Sequence, residues 1–116
     1  MPIDALRAKL SELLVVLRTN GNQDDRYDRF CTDQVARALA GDDRSLREYL
    51  ISNDLWGGAG SIADQALVGT AASREGRKKA EAILADLGEM QMAAGLLNVR
   101  TEMWTSAFRK WQRGGI

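Results

Sequence analysis

The sequence predicts an all-α fold, and three observations carry that expectation. Apolar residues recur at three- and four-residue spacing along almost the whole chain. β-branched residues are sparse and never alternate over the length of a strand. The one proline, Pro2, stands at the very start, where it interrupts no helix. At 116 residues the expected product is a single domain over residues 1–116. It reads as a compact bundle of five or six helices with a glycine-rich turn.

The first helix is expected from Ile3 to Arg18, with Ile3, Leu6, Leu10, Leu13, Leu14 and Leu17 in one stripe. Pro2 suits its first turn, and Gly21 in "TNG" can supply a left-handed cap. A second helix fits Asp24 to Ala40, with Tyr27, Phe30, Cys31, Val35, Ala38 and Leu39 turned inward and Gly41 ending it. Its outer face alternates Asp25, Arg26, Asp28, Arg29, Asp33 and Arg37, a solvated set of ion pairs. A third, Asp43 to Ser52, buries Leu46, Tyr49 and Leu50. A short fourth runs from Ile62 to Val68, and "GTAAS" is a loop.

Residues 74–112 carry the most regular pattern. Ala80, Ile83, Leu87, Met90, Ala94, Leu97, Thr101, Trp104, Phe108 and Trp111 alternate in steps of three and four. As one helix this region would be about 58 Å long, against a radius of gyration of about 13–14 Å for a domain of this size. Either Gly95 caps one helix and Asn98 opens the next, or an unbroken helix overhangs and pairs with a second copy. Gly88 and Gly95 would each cost about 1 kcal/mol relative to alanine inside a helix, which favours a break at one of them, and the break is placed near Gly95–Asn98.

Composition narrows the chemistry. Sixteen basic side chains balance sixteen acidic ones, so no net field draws the protein to nucleic acid or an anionic membrane. Histidine is absent and Cys31 is the single cysteine. No disulfide, cysteine-rich zinc site, Ser-His-Asp triad or Cys-His pair can form within the chain. No Asp-x-Asp-x-Asp-Gly loop is present for calcium. No catalytic residue, cofactor or metal is therefore assigned. There is no apolar run long enough to span a membrane, and "MPIDALRAKLSELL" does not look like a cleavable signal. A cytoplasmic location is expected.

The stretch "WGGAGSIAD" admits two accounts. Glycines ahead of a helix start can cradle a phosphate, but no lysine stands at that start and Asp64 would repel the anion. The architectural account explains more residues: Ser61 is an N-cap answered by Asp64, and Gly57, Gly58 and Gly60 permit positive φ through a reversal. Leu55 and Trp56 then plug the core below. The pattern aromatic-Gly-Gly-x-Gly-Ser-x-x-Asp resembles a segment of small uncharacterised bacterial helical proteins. The resemblance covers about a tenth of the chain, departs at Ala59 where a larger residue such as methionine is expected, and implies a bacterial source without an activity.

Two further clusters bear on partners. Arg74, Arg77, Lys78 and Lys79 in "SREGRKKAEA" could touch phosphates, although a solvated helix end explains them more simply. Trp104, Phe108 and Trp111 share one face of the last helix, a core or homodimer seam before it is a surface for a foreign partner or a membrane. The acids of "QDDRYD" and "GDDR" lie where helices begin and suit the dipole. The expected function is thus a non-catalytic protein-interaction module whose aromatic C-terminal helix and glycine turn build the binding surface, self-associating or serving as an immunity or antitoxin-type partner. Ranked below it are a weak nucleic-acid or nucleotide binder using residues 74–79 and the glycine loop, and an enzyme in which Asp24, Asp25, Asp28 and Asp64 converge.

Overall fold

The computed structural model describes residues 2–68 and 74–114, and within them every regular element is a helix. In order these are α1 (Pro2–Asn20), α2 (Arg26–Ala40), α3 (Asp43–Leu50), α4 (Asn53–Trp56), α5 (Ile62–Gln65), α6 (Arg74–Ala94) and α7 (Thr101–Gln112). The seven described helices exceed the expected five or six because α4, a single turn, stands between α3 and the glycines. The segment "GTAAS" falls at residues 69–73, outside the described residues.

Helix α1 buries all six residues of its stripe. Its stop differs in mechanism from the expected left-handed cap: Gly21 is not at positive φ. Its N–H donates to the Leu17 carbonyl at 2.9 Å, and a Cβ there would lie 2.5 Å from the same oxygen. Glycine is required by contact rather than by dihedral angle. The chain then turns on Asp28, whose Oδ2 accepts from the Asn22 N–H at 2.8 Å.

Helix α2 is rotated relative to expectation. Asp25 caps it, accepting from the N–H groups of Tyr27 and Asp28. Asp28, Cys31, Thr32 and Val35 face inward, while Tyr27 and Phe30 are exposed. Two polar side chains can sit on the buried face because each is locally satisfied. Asp28 holds the Asn22 amide, and Thr32 Oγ1 donates to the Asp28 carbonyl at 2.9 Å. Helix α3 follows its cap Asp42, which accepts from Ser45 N–H at 2.8 Å, and buries Leu46 and Leu50.

The long C-terminal pattern breaks at Gly95. That residue has φ +73°, its N–H donates to Met92, and the Leu96 N–H reaches back to Gln91. This is the paired bonding of a Schellman cap, for which glycine is the preferred residue. Leu96 packs onto the core, and Asn98 starts α7 from two residues outside by accepting from the Arg100 N–H at 2.9 Å. Helix α6 is then about 31 Å long, within the 36 Å longest dimension of the molecule. Within the pattern Ala80, Leu87, Thr101 and Phe108 are buried and Ile83, Met90, Trp104 and Trp111 half-buried, but Ala94 and Leu97 at the break are exposed.

Helix α6 sits at the centre, packed against α1 and α7, while α2 packs on α1. Glycines make both crossings close. A Cβ at Gly76 would lie 2.4 Å from Asn20 Cβ, and one at Gly88 would lie 1.9 Å from Thr105 Oγ1. Gly88→Ala should therefore destabilise by about 1–3 kcal/mol through overpacking, despite the gain of about 1 kcal/mol in helix propensity. Thr105 cannot rotate away without losing its 2.7 Å bond to the Thr101 carbonyl. Adding Thr105→Ala should recover part of the loss. Urea unfolding of the two single variants and the double variant measures the coupling, and a stabilising Gly88→Ala would refute the close crossing.

Candidate functional site

The residues of "WGGAGSIAD" form a tied corner between α4 and α5. Trp56 is fully buried, and its indole N–H donates to Gln91 Oε1 at 3.1 Å. Gly57 is buried, and a Cβ there would lie 2.5 Å from the Asn53 carbonyl oxygen. The Gly57 carbonyl accepts twice, from Ser61 Oγ at 2.8 Å and from the Trp104 indole at 3.2 Å. Ser61 N–H donates to the Gly58 carbonyl across Ala59 and Gly60, and Gly60 has φ +90°. Of the three glycines, Gly60 alone is at positive φ, and Gly58 has open space around it.

The donors of this corner are turned onto its own acid. Asp64 Oδ2 accepts from the Gly60 N–H at 3.2 Å and from Gln65 Nε2 at 2.8 Å, while the Asp64 N–H donates to Ser61 Oγ at 3.2 Å. Helix α5 ends at Gln65 rather than running to Val68. Ala66 leaves it at ψ 116°, and Leu67 follows at φ 59°. The guanidinium of Arg77, from α6, donates to the Ala66 and Ala63 carbonyls at 2.7 and 3.0 Å and closes that end.

Beside the corner lies a groove of about 440 Å³ lined by Arg26, Tyr27, Phe30, Cys31, Gly60 and Gln65. Tyr27 and Phe30 are 61% and 55% exposed. The Arg26 guanidinium lies 5.8 Å from the Tyr27 ring centroid. Burial, with the neighbouring Asp28 charge adding to it, pushes the Cys31 thiol up to about 11. A thiol in that state is protonated near neutral pH and is a poor nucleophile. The groove thus offers aromatic faces, a guanidinium and an amide, groups suited to binding.

The other predicted residues are distributed as follows. Phe108 is fully buried, with Trp104 stacked 5.5 Å and Trp111 edge-on 5.6 Å away, both half-buried. The basic cluster divides: Arg74, Lys78 and Lys79 are exposed, whereas Arg77 turns inward onto α5, Glu81 and the Phe108 ring. Arg74, Arg77 and Lys78 line a second cleft with Glu81, Trp111, Gln112 and Gly114. Gly60 and the basic residues therefore line different clefts. Three of the four acids have separate roles, since Asp25 caps α2, Asp28 holds Asn22 and Asp64 holds Gly60, and the fourth, Asp24, is exposed. Among the described residues no group of three or more His, Cys, Asp or Glu side chains could hold a metal, and no helix is long and apolar enough to cross a membrane.

Three features escape the sequence pattern. Gln91 is fully buried and satisfied, its Nε2 donating at 2.7 Å to both the Leu50 and Leu96 carbonyls. Tyr27 and Phe30 lie outside rather than inside. A further apolar area gathers at the α6–α7 junction, where Asn98 Nδ2 bonds the Ile51 carbonyl at 3.0 Å and Val99 is 94% exposed.

No family model, curated protein or solved structure matches the chain.

Proposed function

We propose that the protein is a non-catalytic interaction module that binds another protein through the groove between α2 and the glycine corner. The supporting observation is the pair Tyr27 and Phe30, two aromatic rings left more than half exposed beside an apolar groove. Exposed aromatic side chains on a rigid helix bring large contact area at low entropic cost and are enriched at interface hot spots. Arg26 lines the groove with its guanidinium 5.8 Å from the Tyr27 ring centroid and offers a partner one positive charge there. Trp104 and the Ser61 cap act from behind, holding Gly57 and hence the corner in place.

Self-association is the form to test first. Light scattering across a concentration series reads it directly, and a second copy of the chain should be lost from the complex when Tyr27→Ala and Phe30→Ala are combined. Each ring should contribute about 30-fold in affinity if it is a hot spot, while the fold stays within about 0.5 kcal/mol of the parent. Where the parent is monomeric at all concentrations, the same double variant is carried into binding to a purified foreign partner. The groove is the wrong surface if every association of the parent survives the double substitution, or if Val99→Ser alone abolishes it.

A further inference from the structure

A second cleft is built differently from the groove on α2. It lies between the first turns of α6 and the last turn of α7, encloses about 750 Å³, and is lined by Arg74, Arg77, Lys78, Glu81, Trp111, Gln112 and Gly114. That volume lies in the range of about 300–1,000 Å³ typical of small-molecule sites.

Charge is concentrated at this end although the chain as a whole is neutral. Segments 74–81 and 110–113 carry six cations, Arg74, Arg77, Lys78, Lys79, Lys110 and Arg113, against Glu75 and Glu81. Glu81 is already engaged by Arg77 at 3.1 Å. Neither Arg74 nor Lys78 forms an ion pair with a described residue, so two of the three cations lining the cleft have unspent donors, while those of Arg77 are used on Ala63, Ala66 and Glu81.

The third element is the indole of Trp111. Two of the three tryptophans use their N–H groups inside the fold, Trp56 on Gln91 and Trp104 on the Gly57 carbonyl. The Trp111 N–H donates to no described residue, and its half-buried ring meets Phe108 in a T-shaped contact. A fixed ring beside two unpaired cations matches a ligand with a flat ring at one end and an anionic group at the other.

We propose that this cleft binds a nucleotide unit, its base against Trp111 and its phosphate between Arg74 and Lys78. Base–aromatic stacking is tolerant of base identity, and the phosphate relieves the mutual repulsion of the cations. A free nucleotide and the terminal nucleotide of a single strand present the same chemistry to these residues.

Titration of the full chain with adenosine 5′-monophosphate, followed by tryptophan fluorescence and by NMR shifts of the Trp111 indole N–H, tests this. Saturable binding should appear, about tenfold weaker for adenosine or inorganic phosphate alone. Trp111→Leu should weaken it about tenfold through lost stacking. Arg74→Gln with Lys78→Gln should weaken it similarly and reduce its salt dependence. That pair is exposed, so it remains informative if Trp111→Leu perturbs the Phe108 packing. A 5′-phosphorylated hexanucleotide distinguishes the sources: equal affinity identifies the isolated nucleotide as the ligand, and much tighter binding identifies a strand end. Absence of saturation in the millimolar range, or binding indifferent to Arg74→Gln with Lys78→Gln, overturns the proposal.

Discussion

Trp56→Ala should be among the most damaging single substitutions in the protein, costing about 3–5 kcal/mol from the lost ring and the cavity alone. The ring is fully buried, and it carries one end of the Gln91 hub. Truncation also strands Gln91 Oε1 in a site without water access, a further penalty of about 1–3 kcal/mol. Against a typical total stability of about 5–15 kcal/mol, a large share of the native state is at risk. Urea unfolding followed by circular dichroism gives the number. Trp56→Phe separates the two contributions, since it keeps most of the ring and removes only the N–H. It should cost about 1–3 kcal/mol, and less in a background already carrying Gln91→Met, where no acceptor remains to be stranded. An unchanged urea midpoint for Trp56→Phe would mean that the Trp56–Gln91 bond stabilises nothing.

How much of this was legible beforehand depends on whether the deciding force is periodic or local. The α1 stripe was legible because burial there is purely apolar and repeats with the turn of the helix. The break at Gly95 was legible because the energetic objection to a helical glycine is local, and the structure answers it with two reversed hydrogen bonds. The rotation of α2 was not. Its buried face contains Asp28 and Thr32, and an apolar count discards both in favour of Tyr27 and Phe30. Only the bonds to Asn22 and within the helix make the polar choice cheaper.

Gln91 was hidden for the same reason. Its three partners come from α3, α4 and the α6–α7 junction, and no spacing along α6 foretells them. A buried tryptophan N–H does need an acceptor, so the pairing of Trp56 with some buried amide was a foreseeable demand without a foreseeable address. Gly88 reads as a breaker in sequence and proves to be the contact point with Thr105. The same residue type thus ends one helix at position 95 and lets another pass closely at position 88.

The basic run was divided by a force that sequence spacing does not show, the need of α5 for an end cap, and Arg77→Met should expose it. The methionine keeps much of the apolar stem but removes the donors to Ala63, Ala66 and Glu81 and the charge 5.6 Å from the Phe108 ring centroid. Both side chains of the Arg77–Glu81 pair are largely enclosed, at 14% and 15% exposure. Removing one member of such a pair costs about 3–5 kcal/mol, chiefly because the other charge is left unpaired. Arg77→Met should approach that range, and Glu81→Met added to it should return a substantial part. Arg77→Lys should recover little, because one ammonium cannot reproduce a planar fork that serves two carbonyls and a carboxylate. Hydrogen exchange locates the damage: amides of residues 62–66 should lose protection well before those of α1 and α6. A loss confined to within 0.5 kcal/mol, or spread evenly over all helices, would show that Arg77 is not the cap of α5. Because Arg77 also lines the cleft at this end, its substitution cannot separate ligand binding from folding. Arg74 and Lys78, which cap nothing, can.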